Sequence, residues 1–85
     1  MSEQMQANYR ELLSKLIRHR ESTEEVRVAF SLASENDDYP SFSRVVARHK
    51  SKLLGQQVNS IDYMLARNRA EIASFGLQHL PGGEL

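Results

Sequence analysis

The feature that most constrains the fold is a long helical pattern over about residues 40–75. Either Asp38 or Ser41 can cap the first free N–H groups of a helix, and Pro40 is tolerated within a helix only at such a start. Gly76 follows the last apolar position and is a common helix end, because glycine adopts the left-handed conformation at little cost. Gly55, inside the stretch, costs about 1 kcal/mol relative to alanine and does not stop a helix of this length. A chain built around such a helix is predicted to be all-α.

Apolar residues in this helix follow two registers. The first steps by threes and fours, as a coiled-coil seam does, with Asn68 in its one polar position. Its apolar members are Leu54, Val58, Ile61, Leu65, Ile72 and Phe75. The second recurs every eleven residues, which keeps a straight helix in contact along its length, and consists of Phe42, Leu53, Met64 and Phe75. A stripe this broad predicts contact with more than one neighbouring helix.

A second regular pattern covers about residues 3–34. Its positions step by four and three without a miss, and they are Met5, Tyr9, Leu12, Leu16, His19, Thr23, Val26, Phe30 and Ala33. Two interpretations fit the polar members in the middle. The helix is either continuous, with a polar layer in its middle, or broken near Ser22, where Ser22 and Glu25 match a capping box. The heptad phase survives the polar stretch, which favours the continuous helix.

Residues 35–39 form the predicted turn between the two helices, because asparagine and aspartates precede a proline there. A loop this short makes the helices antiparallel, and counting outwards from it aligns His19 with Gln56. Residues 77–85 contain a proline and two glycines without periodicity, which indicates a flexible tail. The prediction is one helical hairpin domain over residues 1–76, followed by that tail.

A short chain buries only a modest core, and a two-helix arrangement often gains stability by self-association. We therefore expect the chain to form a homodimer in which two hairpins build a four-helix bundle. The predicted dimer interface consists of apolar residues from the second helix: Leu53, Leu54, Val58, Ile61, Met64 and Leu65.

Composition excludes several classes of function. Eleven basic and eleven acidic residues cancel, so the net charge favours neither a nucleic-acid nor a membrane partner. The absence of cysteine excludes disulfides, cysteine-based zinc sites and thiol catalysis. Apolar runs of at most three residues predict no transmembrane span, and the charged N-terminal segment is unlike a signal peptide. We expect a soluble, intracellular protein of the cytoplasm.

No catalytic pattern stands out. The paired carboxylates Glu24-Glu25 and Asp37-Asp38 are adjacent in sequence, whereas acid–base chemistry needs groups held across a cleft. No Gly-rich phosphate loop and no Ser-His-acid arrangement is present. A thin hairpin also offers no pocket of enzymatic size. The sequence predicts no enzyme and no cofactor.

Two histidines, His19 and His49, lie on the apolar stripes. A neutral imidazole there can hydrogen-bond across the interface and fix the helix register, so a structural polar layer is the favoured interpretation. A pH-sensitive contact is the alternative. A metal site needs further ligands, and neither histidine is followed by a histidine or carboxylate one helical turn later, so no metal is predicted.

Charge is distributed unevenly. Residues 21–38 hold six acidic residues against one basic residue, and residues 41–70 hold six basic residues against one acidic residue. Arg44, Arg48 and Lys52 follow one helical face, called here the basic ridge, which suits a phosphate backbone. Its predicted extensions are Lys50, Arg18 and Arg20. The competing interpretation is internal: the acidic segment runs beside this half of the second helix and pairs with it.

These patterns favour a small non-enzymatic interaction protein, acting as a regulator, adaptor or chaperone through contacts with itself and another protein. The alternative hypothesis is a homodimeric RNA- or DNA-binding protein that contacts phosphates through the basic ridge. The two hypotheses differ in which surface of the hairpin is the binding surface.

Overall fold

The computed structural model describes residues 3–78, with side chains described over residues 3–74. Two helices form, α1 over Glu3–Ser34 and α2 over Ser41–Gln78. They pack against each other as a hairpin that measures 64 × 19 × 13 Å. The predicted all-α hairpin is confirmed, while its dimerisation stays a prediction.

α1 passes through Ser22 without a break. The Ser22 hydroxyl donates a hydrogen bond to the backbone carbonyl of His19, at 3.1 Å, inside the continuing helix. A serine that bonds back to the preceding turn does not cap a new helix start. Of the two interpretations of this segment, the structure therefore has the continuous helix.

The connection between the helices is a short hydrogen-bonded turn. The backbone N–H of Glu35 donates to the carbonyl of Leu32 at 3.1 Å, which closes the end of α1. The Asn36 side-chain oxygen accepts the backbone N–H of Asp38 at 2.9 Å, and this bond holds the chain in a turn. The chain therefore reverses within a few residues.

The end of α2 differs from the prediction. The helix continues through Gly76 to Gln78, so Gly76 does not end it. Glycine permits the left-handed conformation of a helix end but does not impose it, and its cost inside a helix is about 1 kcal/mol. The predicted tail begins at residue 77, yet residues 77 and 78 are helical. Residues 79–85 lie outside the described part of the chain.

The core of the hairpin is small. Over residues 3–74 the buried apolar side chains all belong to α2, and they are Ala47, Val58, Ile61 and Leu65, each at most 6% exposed. The buried polar residues are Thr23 and Ser34 of α1 and Asn68 of α2. The buried face of α2 is therefore the predicted seam, in which the apolar residues are spaced three and four positions apart. α1 covers it with side chains that are themselves half-buried, such as Leu13 and Leu16.

Contacts between the helices join residues that are offset from the predicted alignment. The prediction aligned His19 with Gln56, whereas the neighbouring Arg20 contacts Asp62, further from the turn. In a helix the Cα–Cβ bonds tilt towards the N-terminus, so α1 side chains lean away from the turn and α2 side chains lean towards it. A residue of α1 therefore contacts a residue of α2 that is more residues away from the turn than it is itself.

Candidate interaction surfaces

One long side of the hairpin carries exposed apolar residues from both helices, and we call it the apolar face. α1 contributes Met5, Leu12, His19, Val26 and Ala33, and α2 contributes Phe42, Val46, Leu53 and Met64. Two grooves show that the helices share this side: one contains both Leu12 and Met64, and another contains Ala33 with Phe42 and Val46. The face therefore spans both helices and most of the length of the hairpin.

The large apolar side chains of this face are substantially exposed. Met5, Leu12, Val26, Leu53 and Met64 are each between 44% and 49% exposed, and Phe42 is 78% exposed. Single exposed apolar residues are normal on a protein surface, but a contiguous row of them is uncommon on a monomer. This row is therefore a candidate contact surface.

Shallow grooves line the apolar face, among them three beside Met64, Phe42 and Val26. Their volumes are about 190 Å³ beside Leu12 and Met64, about 310 Å³ beside Phe42, and about 390 Å³ beside Val26. All three are open along the surface. Grooves of this shape accommodate the protruding side chains of a partner helix, as in the ridges-into-grooves packing of helices.

The predicted dimer interface divides between two places. Val58, Ile61 and Leu65 are buried within the single hairpin, where α1 already covers them. Leu53 and Met64 are exposed on the apolar face, and Leu54 is half-buried. The prediction assigned one broad stripe to one interface because it did not separate the side of α2 that faces α1 from the side next to it.

The prediction also left out the α1 half of the apolar face. Met5, Leu12, His19 and Val26 were assigned to the contact with α2, but they lie beside that contact and are exposed. Their exact seven-residue spacing was visible in the sequence. That spacing is a sign of a second seam, distinct from the one formed by Leu16 and Thr23.

The opposite side of the hairpin, called here the polar face, ties the helices together with charged and polar groups. Arg20 Nε lies 2.5 Å from Asp62 Oδ1, and this hydrogen bond raises the pKa of Arg20. The Ser51 hydroxyl donates to the backbone carbonyl of Arg27 at 3.4 Å. These contacts are partly exposed, so each contributes little to stability but together they fix the pairing of the helices.

Within α1, Arg27 and Glu24 form a bidentate pair on the polar face. Arg27 Nε donates to Glu24 Oε2 at 2.8 Å, and Arg27 Nη2 donates to the other carboxylate oxygen. The hydrogen bond from Arg27 lowers the pKa of Glu24 below its usual range. Glu24 therefore pairs within α1 and is not available as an ion-pair partner for the basic residues of α2.

The basic ridge is only partly paired. Arg44 Nη1 lies 3.4 Å from Asp37 Oδ1, and Arg44 Nη2 donates to the Ser41 hydroxyl at 3.2 Å. Arg48 and Lys52 are exposed and form no hydrogen bond or ion pair within residues 3–74. Internal pairing therefore accounts for Arg44 and leaves the other two cations of the ridge available.

The predicted extensions of the ridge do not join it. Lys50 Nζ lies 5.3 Å from the centroid of the Phe30 ring, a cation–π contact between the helices. Arg20 forms an ion pair with Asp62. Arg18 is exposed on α1 and pairs with none of the described groups. The structure thus brings together Arg44, Arg48 and Lys52 through their helical spacing and separates the other three.

Both histidines are exposed in the single hairpin. The side of α1 that faces α2 passes through Arg20 and Thr23, so the interior polar residue at this level is Thr23 rather than His19. The hairpin interior therefore contains neither His19 nor His49, and a polar layer formed by these two residues stays a prediction. Within the described residues no three acidic or histidine side chains are placed to hold a metal ion.

Over residues 3–74, Asn68 is the one buried polar side chain in the seam of α2. It is 4% exposed, and neither its amide nitrogen nor its amide oxygen has a hydrogen-bond partner. Tyr9 contributes a polar contact nearby: its hydroxyl donates to the Glu71 carboxylate, which raises the pKa of Tyr9. The polar position of Asn68 was visible in the sequence, but the Tyr9 contact carried no sequence signal.

Comparison with known proteins assigns this chain to no family. A scan against protein-family models and searches of curated proteins and of solved structures found no match to this chain. Neither described helix is long and apolar enough to cross a lipid bilayer.

Proposed function

We propose that this protein is a small non-enzymatic interaction protein that works as a homodimer and contacts another protein as a regulator, adaptor or chaperone. The observation that carries the proposal is the apolar face, whose side chains from both helices stand exposed in a single hairpin. Covering this face removes apolar surface from water, which is the main favourable term in protein association.

A second hairpin is the simplest cover for the apolar face. The face lies beside the seam between α1 and α2, so each helix has two adjacent apolar sides. A helix with two such sides suits a four-helix bundle, in which every helix packs against two neighbours. The small core of the single hairpin supports the same conclusion, since two hairpins together bury much more apolar surface than one.

A dimer built this way leaves other apolar residues outside. Leu32 and Val45, near the turn, are 64% and 59% exposed, and Tyr63, further along α2, is 68% exposed; all three lie away from the seam of the hairpin. Exposed tyrosines on a rigid helical scaffold are typical of sites that bind other proteins, because they provide a large contact area with few rotatable bonds. We propose that the partner protein binds this outer surface, near the turn.

Measuring the mass in solution tests the dimer. Light scattering at micromolar concentration is expected to give twice the chain mass of 9.7 kDa. Leu12→Glu places a charge on the apolar face and is expected to give a folded monomer, whereas Ile61→Glu charges the hairpin core and is expected to unfold the chain. Leu32→Glu, at a more exposed leucine of the same helix outside the face, is the control and should leave the dimer intact. A wild-type monomer contradicts the proposal.

Affinity capture from cells tests the partner. The tagged dimer is expected to recover one protein whether or not nuclease is added. The double variant Leu32→Ser and Val45→Ser should lose that protein while keeping the dimer mass. If the variant retains the protein, the outer surface near the turn is not the binding site.

A second candidate function rests on the unpaired cations of the basic ridge. Arg48 and Lys52 have no carboxylate partner within residues 3–74, which leaves them available for phosphates. RNA or DNA binding through them would depend weakly on sequence and steeply on salt, losing about 0.7 to 0.9 in log affinity per tenfold rise in salt for each phosphate contacted.

A gel-shift titration tests this candidate. Duplex RNA, duplex DNA and single strands are titrated at low salt against the wild type and the double variant Arg48→Glu and Lys52→Glu. Binding by the wild type that the double variant loses supports the nucleic-acid function. Arg69→Glu, an exposed cation on the other half of α2, is the control. No shift with any of the nucleic acids at low salt excludes this function.

A further inference from the structure

The α1 side of the apolar face has an internal symmetry. Met5, Leu12, His19, Val26 and Ala33 recur every seven residues, and His19 is the middle member. Four of these side chains are exposed and Ala33 is half-buried. The order of side-chain types along the row is therefore the same from either end, with apolar residues at the ends and a polar residue at the centre.

We propose that a second copy of the chain docks antiparallel on the apolar face, with the twofold axis beside His19. This arrangement rests on the homodimer proposed above and specifies its orientation. Leu12 of each copy then packs against Val26 of the other, and Met5 packs against Ala33. His19 faces His19 of the second copy, which places the one polar position of the row against itself.

The α2 residues of the apolar face are compatible with the same centre. If Leu53 packs against Met64 of the second copy, the axis crosses α2 between residues 58 and 59. His19 lies fifteen residues before the end of α1 at Ser34, and the residue fifteen positions beyond Ser41 is Gln56. The side-chain contact from the neighbouring Arg20 reaches Asp62. His19 therefore lies beside the stretch of α2 between residues 56 and 62. A single twofold axis can pass through both the α1–α1 contact and the α2–α2 contact.

Charge supports the antiparallel orientation. On α1, residues 10–20 hold four basic residues against one acidic residue, and residues 21–34 hold three acidic residues against one basic residue. An antiparallel pair of α1 helices centred on His19 sets the basic segment of one copy beside the acidic segment of the other. A parallel pair would set acidic beside acidic and basic beside basic, and like charges at helix contacts are destabilising.

Spin-label distances distinguish the orientations. The chain has no cysteine, so Glu11→Cys, Arg18→Cys and Glu25→Cys each give a single labelling site, and all three positions are exposed. In the antiparallel dimer the two copies of residue 18 are offset along the bundle by about 3 Å, those of residue 25 by about 18 Å and those of residue 11 by about 24 Å, at 1.5 Å per residue.

The expected result is a pair distance that is shortest at residue 18 and longer at both other sites. A parallel dimer gives no such minimum, because its copies share the same level at every residue, and that result overturns the orientation while the homodimer stands. A monomer by light scattering, with no intermolecular distance, overturns the homodimer and the orientation together.

Disulfide formation provides a second measurement at the contact itself. His19→Cys is expected to cross-link to its own copy on mild oxidation, since a disulfide needs Cα atoms within about 7 Å. Leu12→Cys alone should stay uncrosslinked, but an equal mixture of Leu12→Cys and Val26→Cys chains should form the mixed disulfide. Asn59→Cys, exposed on the side away from the apolar face, is the control and should not react. Rapid cross-linking of Leu12→Cys with itself overturns the proposal.

Discussion

Asn68 shows how one side chain can limit the stability of a small core. Both of its amide atoms are buried without a hydrogen-bond partner, and such a residue costs about 1–3 kcal/mol relative to an apolar one. Asn68→Leu is therefore expected to raise the free energy of unfolding by about that amount. Urea denaturation at one fixed protein concentration measures the change.

Asn59→Leu is the matched control for this prediction, because Asn59 is exposed on the same helix and its replacement should change stability little. If Asn68→Leu instead destabilises the protein, the amide is hydrogen-bonded in solution. In that case the partner of Asn68 lies outside the single hairpin.

Tyr9 gives a prediction about pH. Its hydrogen bond to the Glu71 carboxylate raises the pKa of Tyr9 above the ordinary value of 10.0, because the carboxylate favours the protonated phenol. The stabilisation is present below the ordinary tyrosine pKa and is lost as pH rises through the raised one. Glu71→Gln should move the titration of Tyr9 to lower pH.

Tyrosinate absorbance follows this titration. A background carrying Tyr39→Phe and Tyr63→Phe leaves Tyr9 as the one tyrosine of the chain. Glu11→Gln, a carboxylate on α1 that pairs with Lys15, is the control and should leave the titration unchanged. Equal titration curves for Glu71→Gln and the background would show that Tyr9 does not donate to Glu71.

At the scale of single residues, the sequence predicted the seam of α2 better than the face of α1. Val58, Ile61 and Leu65 stand out because apolar residues there keep a strict three-four spacing. On α1 that spacing mixes two sides, since Leu16 and Thr23 face α2 while Leu12 and His19 lie beside it. Periodicity identifies a stripe, but which half of it faces the neighbour depends on the rotation of the helix, which spacing alone does not determine.

At the scale of the helices, the sequence predicted their number and the continuity of α1. It placed the end of α2 three residues early, because glycine permits a helix end without requiring one. It also placed the α2 contact of the segment at His19 and Arg20 too close to the turn, because counting from the turn ignores the tilt of side chains towards each helix N-terminus. Both errors arise from three-dimensional geometry that a one-dimensional pattern lacks.

Gly55 gives a prediction at this scale. A Cβ atom added at Gly55 would lie 3.6 Å from Cδ of Arg27, an ordinary van der Waals contact with a flexible side chain. Gly55→Ala is therefore expected to stabilise the protein by about 1 kcal/mol, since alanine has the higher helix propensity and restricts the unfolded chain. Thermal unfolding measures the gain.

The reverse substitution on the same helix is the control for Gly55. Ala66→Gly, at an exposed position of α2, should lose about 1 kcal/mol for the same reason. A loss of stability in Gly55→Ala would indicate that a neighbour in the assembled protein approaches the backbone at this position more closely than Arg27 does.

At the scale of the whole molecule, assembly and folding are expected to be coupled. The hairpin is 64 Å long, yet over residues 3–74 only four apolar side chains are buried in it. A core of this size leaves a single hairpin marginal, so much of the stability should come from covering the apolar face. The sequence suggested this coupling from chain length, and the exposed row from Met5 to Val26 on α1 supplies the surface that it requires.

The consequence is a melting temperature that depends on protein concentration. For a dimer that unfolds to separate chains, a hundredfold rise in concentration stabilises the folded state by about 2.7 kcal/mol per mole of dimer. We expect the wild type to melt at higher temperature as concentration increases over that range, by circular dichroism. Leu12→Glu should melt at lower temperature with no concentration dependence, because it has lost the second copy. Leu32→Glu should behave as the wild type, since Leu32 lies outside the apolar face. A wild-type melting temperature that is the same at every concentration would show that the single hairpin is the stable unit and that the apolar face is covered by some other molecule.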